Sequence, residues 1–161
     1  MMPEWLPEFC ATDGEWADVL AALYVVFRRD IADNAPRIDG SPVWWERKIA
    51  DGYEETFWHL KTRDDTAGGD RFFDPRRAER LTWCGPILRH CSDPAIKRWR
   101  YREKTGQITL YLWLEAEDYV IVLRERTVRN IGRVYFLITA YHVNGDQTRK
   151  KLQRRYEKKE P

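Results

Sequence analysis

From Ile96 to His142 the apolar residues recur with period two through four successive runs. Trp99 and Tyr101 alternate with Arg98, Arg100 and Arg102. Ile108, Leu110, Leu112 and Leu114 alternate with Gln107, Thr109, Tyr111 and Trp113. Tyr119, Ile121 and Leu123 alternate with Val120, Val122, Arg124 and Arg126, and Val134, Phe136 and Ile138 alternate with Tyr135, Leu137, Thr139 and Tyr141. Alternation of this kind, rich in β-branched and aromatic residues, marks half-buried strands. The breaks fall at Lys104-Thr105-Gly106, Ala116-Glu117 and Asn130-Ile131-Gly132. Gaps this short admit hairpins and exclude parallel crossovers, which take about a dozen residues. The pattern therefore predicts a four-stranded antiparallel meander. One face is aliphatic and needs a cover; the other carries arginine, tyrosine and threonine and is where chemistry is expected.

The cover comes from upstream. Residues 1–12 read as an irregular arm with Pro3 and Pro7, and residues 13–94 as a mainly helical layer. Asp13 is placed to cap a helix in which Trp16, Val19, Leu20, Leu23, Tyr24, Phe27 and Ile31 fall at helical spacing, ending at Asn34-Ala35-Pro36. Val43 to Ile49 reads as a short strand, and Tyr53 to Arg63 fits strand or helix equally. Asp64 to Asp70, with Gly68-Gly69, reads as a loop. Asp74-Pro75 starts a helix, since Asp caps and proline suits the first helical position; Gly85-Pro86 is expected to interrupt it, with a second segment from Ile87 to Cys91. After the sheet, Asp146 is placed to cap a basic helix, Gln147 to Lys158, whose apolar residues are Leu152 and Tyr156. Two apolar residues make that helix marginal alone. The whole is expected to be an α+β single domain, 1–161, with the sheet at 96–142 and the basic helix at 146–158.

The net charge of +2 does not announce a polyanion binder. Its distribution says more: Thr148 to Lys159 reads TRKKLQRRYEKK, and the sheet carries a run of arginines. Clustered positive charge is an anion-binding footprint whatever the total. Cys10, Cys84 and Cys91 make neither a disulfide framework nor a zinc spacing, even with His90 beside them, and read as reduced packed thiols. The N-terminus carries Glu4 and Glu8 and has no basic region before an apolar core, so no signal peptide is expected. No apolar run approaches the ~20 residues that span a bilayer. A cytoplasmic protein with no membrane partner is the expectation.

Glycine-rich phosphate loops, GxSxG, HExxH and paired CxxC are all missing, which argues against an NTPase, a common serine hydrolase and a zincin. What remains is His59, set between aromatic residues and followed by Lys61 and Arg63, together with the arginine-bearing strands. An imidazole in such a setting can titrate near neutrality, as a general acid or base needs. Arg100, Arg102, Arg124 and Arg126 lie on strands, where guanidinium groups hold a phosphate bidentately and stabilise a phosphorane. Thr139, Tyr141 and His142 close the last strand, where a hydroxyl or imidazole is placed to position the phosphate or protonate a leaving oxygen. Catalysis is thus assigned to His59, Arg124, Arg126, Thr139, Tyr141 and His142. Nucleic-acid contact is assigned to Lys61, Arg63, Arg100, Arg102, Lys150, Lys151 and Arg154. The inventory fits cleavage of RNA by its own 2′-hydroxyl, with no cofactor and no metal. Against this stand plainer roles: a histidine beside tryptophan is often structural, and charges on an edge strand prevent edge pairing.

The order Thr56-Phe57-Trp58-His59-Leu60, then Asp74-Pro75-Arg76-Arg77-Ala78-Glu79-Arg80, then Ser92-Asp93-Pro94 leading into a meander that closes with Phe136-Leu137-Ile138-Thr139-Ala140-Tyr141, resembles phage- and mobile-element-associated proteins grouped with the barnase, EndoU, colicin and RelE-like ribonucleases. The resemblance spans roughly residues 40 to 157 and leaves the first helix unexplained. It implies one or two helices followed by a four-stranded antiparallel sheet whose concave face cleaves RNA without metal. It also implies His59 as acid or base, an arginine such as Arg124 or Arg126 for the phosphate, and Thr139 or Tyr141 near the scissile group. A second histidine would be His142. The implied activity is that of a toxin-like or phage-associated endoribonuclease, with RNA as partner and room for an antitoxin or immunity protein. The rival is a non-catalytic nucleic-acid-binding or protein-interaction module using the same arginines with tryptophan and tyrosine as stacking groups.

Overall fold

The computed structural model describes residues 2–64 and 71–161. In chain order the elements are α1 (Trp16–Phe27), a π-helical turn (Arg28–Ala32), β1 (Arg37–Ile38), β2 (Ser41–Trp44), β3 (Ile49–Ala50), β4 (Tyr53–Glu54), α2 (Glu55–His59), β5 (Thr62–Asp64), β6 (Arg71–Phe73), α3 (Pro75–Glu79), α4 (Leu81–Arg89), β7 (Lys97–Arg102), β8 (Ile108–Leu114), β9 (Tyr119–Val128), β10 (Gly132–His142) and α5 (Asp146–Glu157). The fold is α+β. The predicted meander is β7 to β10, joined by hairpins.

The sheet is nevertheless not a four-stranded antiparallel one. It has six strands in the order β1-β2-β10-β9-β8-β7, and β2 runs parallel to β10. Two short hairpins, β3-β4 and β5-β6, stand apart from it. The extra strands escaped the sequence because they are two and four residues long. Period-two alternation cannot register over so few positions, and Pro42 inside β2 argues against a strand. Pro42 sits opposite Arg37 of the terminal strand β1. The Gly68-Gly69 loop expected over Asp64 to Asp70 lies, from residue 65 on, outside the described residues.

Several local expectations change. Glu15, not Asp13, precedes α1 and makes no side-chain cap. Gly85-Pro86 does not break its helix; α4 runs through it, and the break falls at Arg80, with φ −92° and ψ 7°. Gly85 is required by close packing, because a Cβ there would lie 2.7 Å from the Cβ of Asp30. Asp74 caps α3 as expected, accepting from the amides of Arg76 at 3.0 Å and Arg77 at 3.3 Å. Asp146 is the first residue of α5 and Gly145 precedes it.

Two cores lie on the two faces of the sheet. Leu110, Leu112, Ile121, Leu123 and Leu137 share one with Val19, Leu23 and Phe27 of α1 and with Leu81 and Leu88 of α4. The second holds Trp99, Tyr111, Trp113, Val120, Val143 and Leu152. Every residue of β8 is buried, so this strand is covered on both sides, not half exposed. The cover on the second face is α5, which docks through Leu152 and Tyr156. Arg149 bonds to Asp118, and the amide of Glu160 donates to the carbonyl of Arg100 at 2.8 Å along the β7 edge. Among the described residues no helix is long and apolar enough to cross a membrane.

Candidate functional site

Period-two geometry sorts the arginines onto different faces. Trp99 pairs with Tyr111 and Tyr101 with Thr109, while Arg98 pairs with Leu112 and Arg100 with Leu110. Cross-strand partners project to the same side. Arg100 therefore leaves the sheet on the Leu110 side, opposite the tyrosines, and Arg102 follows it. Arg100 binds both oxygens of Glu125, at 3.0 and 3.1 Å, and Arg102 binds Glu160 at 2.9 Å. These two do not share a surface with Arg124. The arginine, tyrosine and threonine of the meander are thus not all on one face, as the alternation had suggested.

The second face carries a cleft between α5 and α3. One part encloses about 360 Å³ and is lined by Asp74, Arg77, Tyr111, Tyr141, His142, Asn144, Thr148, Lys151, Leu152 and Arg155. The adjoining part, about 580 Å³, shares Tyr111, Tyr141 and Arg155 and adds Tyr101, Thr109, Arg124 and Thr139. Of the residues proposed from sequence, Arg124, Thr139, Tyr141, His142 and Lys151 come together here. Thr148, Lys151, Leu152 and Arg155 are the inward stripe of α5, spaced as one helix face. Lys150 and Arg154 lie on its exposed side with Gln147.

Arg77 is held at one wall. Its Nη1 donates to the His59 carbonyl at 3.2 Å and to Thr139 Oγ1 at 3.4 Å. Its Nε lies 3.5 Å from Asp74, and the guanidinium stands 5.5 Å from the Tyr141 ring centroid. Thr139 Oγ1 donates to the same carbonyl at 3.3 Å. Arg155 on the other wall bonds to the Tyr111 hydroxyl, with Glu103 at 3.5 Å. Arg124 bonds to Gln107.

His142, the register partner of Tyr119 and so on the opposite side of β10 from Tyr141, borders the cleft where the strand ends and is its imidazole. Its Nδ1 is buried and has no hydrogen-bond partner among the described residues. Burial, with the charges of Arg80 and Arg76 nearby, holds the imidazole below its ordinary value, so it is neutral near pH 7. Burial also raises the phenol of Tyr141, and that of Tyr111 against the opposing charge of Arg155. Both hydroxyls therefore remain donors. A neutral base, protonated phenols and fixed cations form a set able to hold a phosphodiester and move a proton at it.

His59 and Lys61 are placed otherwise. His59 is partly buried at the end of α2 and is not among the cleft-lining residues; its carbonyl accepts from Arg77 at the cleft wall. Lys61 is fully buried, with Nζ 3.4 Å from the Trp58 ring centroid and 4.9 Å from that of Phe57. Its ammonium does not reach solvent and cannot meet a nucleic-acid backbone. Arg63 belongs to β5, and its side chain lies outside the described residues. Arg126 is exposed, 4.3 Å over the Phe136 ring. Arg77, Tyr111 and Arg155 were missed in the sequence, though the Lys151-Leu152-Arg155 spacing on a basic helix was a usable signal. No group of three or more His, Cys, Asp or Glu side chains gathers as a metal site among the described residues.

Comparisons with protein-family models, with curated proteins and with solved structures give no match.

Proposed function

We propose that the chain is an RNA-binding endoribonuclease that works without metal through the cleft between α3 and α5. The observation that carries this reading is that one cleft gathers Arg77, Tyr141, Lys151 and Arg155, with His142 beside them where β10 ends. The cations hold the scissile phosphate and His142 takes the proton of the adjacent 2′-hydroxyl. The 2′-oxygen then bonds to phosphorus and the P–O5′ bond breaks. Tyr141, kept protonated by burial, donates to the departing 5′-oxygen. The products are a 2′,3′-cyclic phosphate and a 5′-hydroxyl. The ribonuclease resemblance supports the same chemistry, with His142 in place of His59 as base.

The test is incubation with total RNA in EDTA. Wild type is expected to leave cyclic phosphate ends, and His142→Ala to lose about 10²–10⁴-fold in rate. Equal cleavage by both would remove His142 from the mechanism. RNA retained in a gel shift without cleavage by wild type would leave a binding module built on the same cations.

A further inference from the structure

The second face of the sheet continues past the cleft into an aromatic row. Trp44 of β2 is the register partner of Phe136, Phe136 of Arg124, Arg124 of Thr109, and Thr109 of Tyr101. One row therefore crosses the sheet, with aromatic rings at its ends and a cation at its centre, at ~4.8 Å per strand. Its Tyr101, Thr109 and Arg124 line the cleft. Its other end opens into a separate pocket of about 370 Å³ lined by Trp44, Trp45, Glu46, Arg47 and Phe136. The apolar cluster beneath α5 includes neither Trp44 nor Phe136.

We propose that Trp44 and Phe136, with the guanidinium groups of Arg47 and Arg126, form a nucleobase-stacking subsite, so that the RNA taken by the cleft is single-stranded. This rests on the RNA-binding reading above. Both rings are half exposed. Arg126 lies over Phe136 at 4.3 Å and Arg47 over Trp45 at 4.6 Å. Aromatic rings and guanidinium planes are the two surfaces on which splayed bases stack. The carboxylate of Glu46 sits in the same pocket, anchored by the Lys48 amide at 3.0 Å. A carboxylate repels phosphate and accepts from base amino groups, so the pocket suits a base and not the backbone. Phe136 and Tyr141 are five residues apart on β10, roughly 16 Å at ~3.3 Å per residue. The stacked base thus belongs to a flanking nucleotide, not to the one cleaved. A duplex keeps its base faces stacked internally and cannot offer one.

The probe is a twelve-nucleotide RNA methylated at every 2′-oxygen, which lacks the nucleophile and stays intact; its affinity for the full chain is read by fluorescence anisotropy. Trp44→Leu and Phe136→Leu keep apolar bulk and lose the π-face; each is expected to bind about fivefold to a hundredfold more weakly, with Phe136→Tyr binding as wild type does. The same strand annealed to its complement is expected to bind more weakly than the single strand. An abasic version keeps every phosphate and tests wild-type protein without any substitution; it should lose at least about fivefold. Unchanged binding by both leucine variants, equal affinity for duplex, or undiminished binding of the abasic strand overturns the subsite and leaves the cleft reading standing. Wild-type protein that binds none of these strands overturns the RNA-binding reading, and the subsite with it.

Discussion

The guanidinium of Arg77 and the main-chain carbonyl of His59 meet at 3.2 Å. The end of α2 thereby fixes a cation at the wall of the cleft through a backbone atom that any residue would supply. His59→Ala is therefore expected to keep RNA cleavage within a few-fold of wild type. Arg77→Lys loses the planar guanidinium that bonds to the His59 carbonyl and Thr139 at once, and is expected to cost about 10²–10³-fold in cleavage rate. Single-turnover cleavage rates decide it; a folded His59→Ala protein without activity would return the imidazole to the mechanism.

The His142 imidazole is held below its ordinary value by burial and by Arg80 and Arg76. The unfolded chain then binds this proton more readily than the folded one as pH falls from about 6.5. Stability from the neutral ring is complete above that pH and is lost as pH drops toward the folded value. Urea unfolding of wild type and His142→Gln between pH 5 and 7.5 should show the wild-type curve falling relative to the variant in the acid half. Parallel curves would mean that His142 titrates alike in both states.

The meander was readable because β7 to β10 are six to eleven residues long, and alternation over such lengths has one good explanation. The strands β1 and β2 were not, since their place beside β10 is a tertiary choice that two or four residues cannot encode locally. Arg124, Tyr141 and His142 stand out in the sequence because a cation or titratable group late in an apolar strand is conspicuous, and with Thr139 they line the cleft. Arg100 and Arg102 were grouped with them although their odd-even position relative to Trp99 and Tyr101 already placed them on the other face. Lys61 looked like a surface cation because its burial among Phe57, Trp58 and Trp16 depends on how α1 and α2 meet.

Gly85 sets two effects against each other. Alanine is better than glycine inside a helix by about 1 kcal/mol. Here its methyl would lie 2.7 Å from the Asp30 Cβ and 2.8 Å from Arg89 Nη1. Asp30 cannot retreat freely, because it is buried, binds Arg29 at 2.7 Å, and its carbonyl accepts from Arg89 at 2.9 Å. Overpacking outweighs propensity, and Gly85→Ala is expected to lower stability by about 1–3 kcal/mol. A denaturation midpoint at or above that of wild type would show that the turn at residues 28–32 yields.

Leu152 joins stability to function. It is the buried residue of α5 and packs with Trp99, Tyr111 and Trp113. The same helix carries Lys151 and Arg155 into the cleft. Isolated helices this short are marginal in water, so the docked geometry depends on that contact. Leu152→Ala is expected to cost about 2–4 kcal/mol and to weaken RNA binding as well, since the two cations lose their fixed positions. Lys151→Ala, an exposed substitution, should weaken RNA binding while leaving the unfolding midpoint nearly unchanged. Measuring midpoint and affinity on both variants separates the two effects. Undiminished affinity in Leu152→Ala would mean that α5 stays docked through Tyr156 and the Arg149–Asp118 pair, or that RNA does not use this wall of the cleft, and Lys151→Ala then decides between those two.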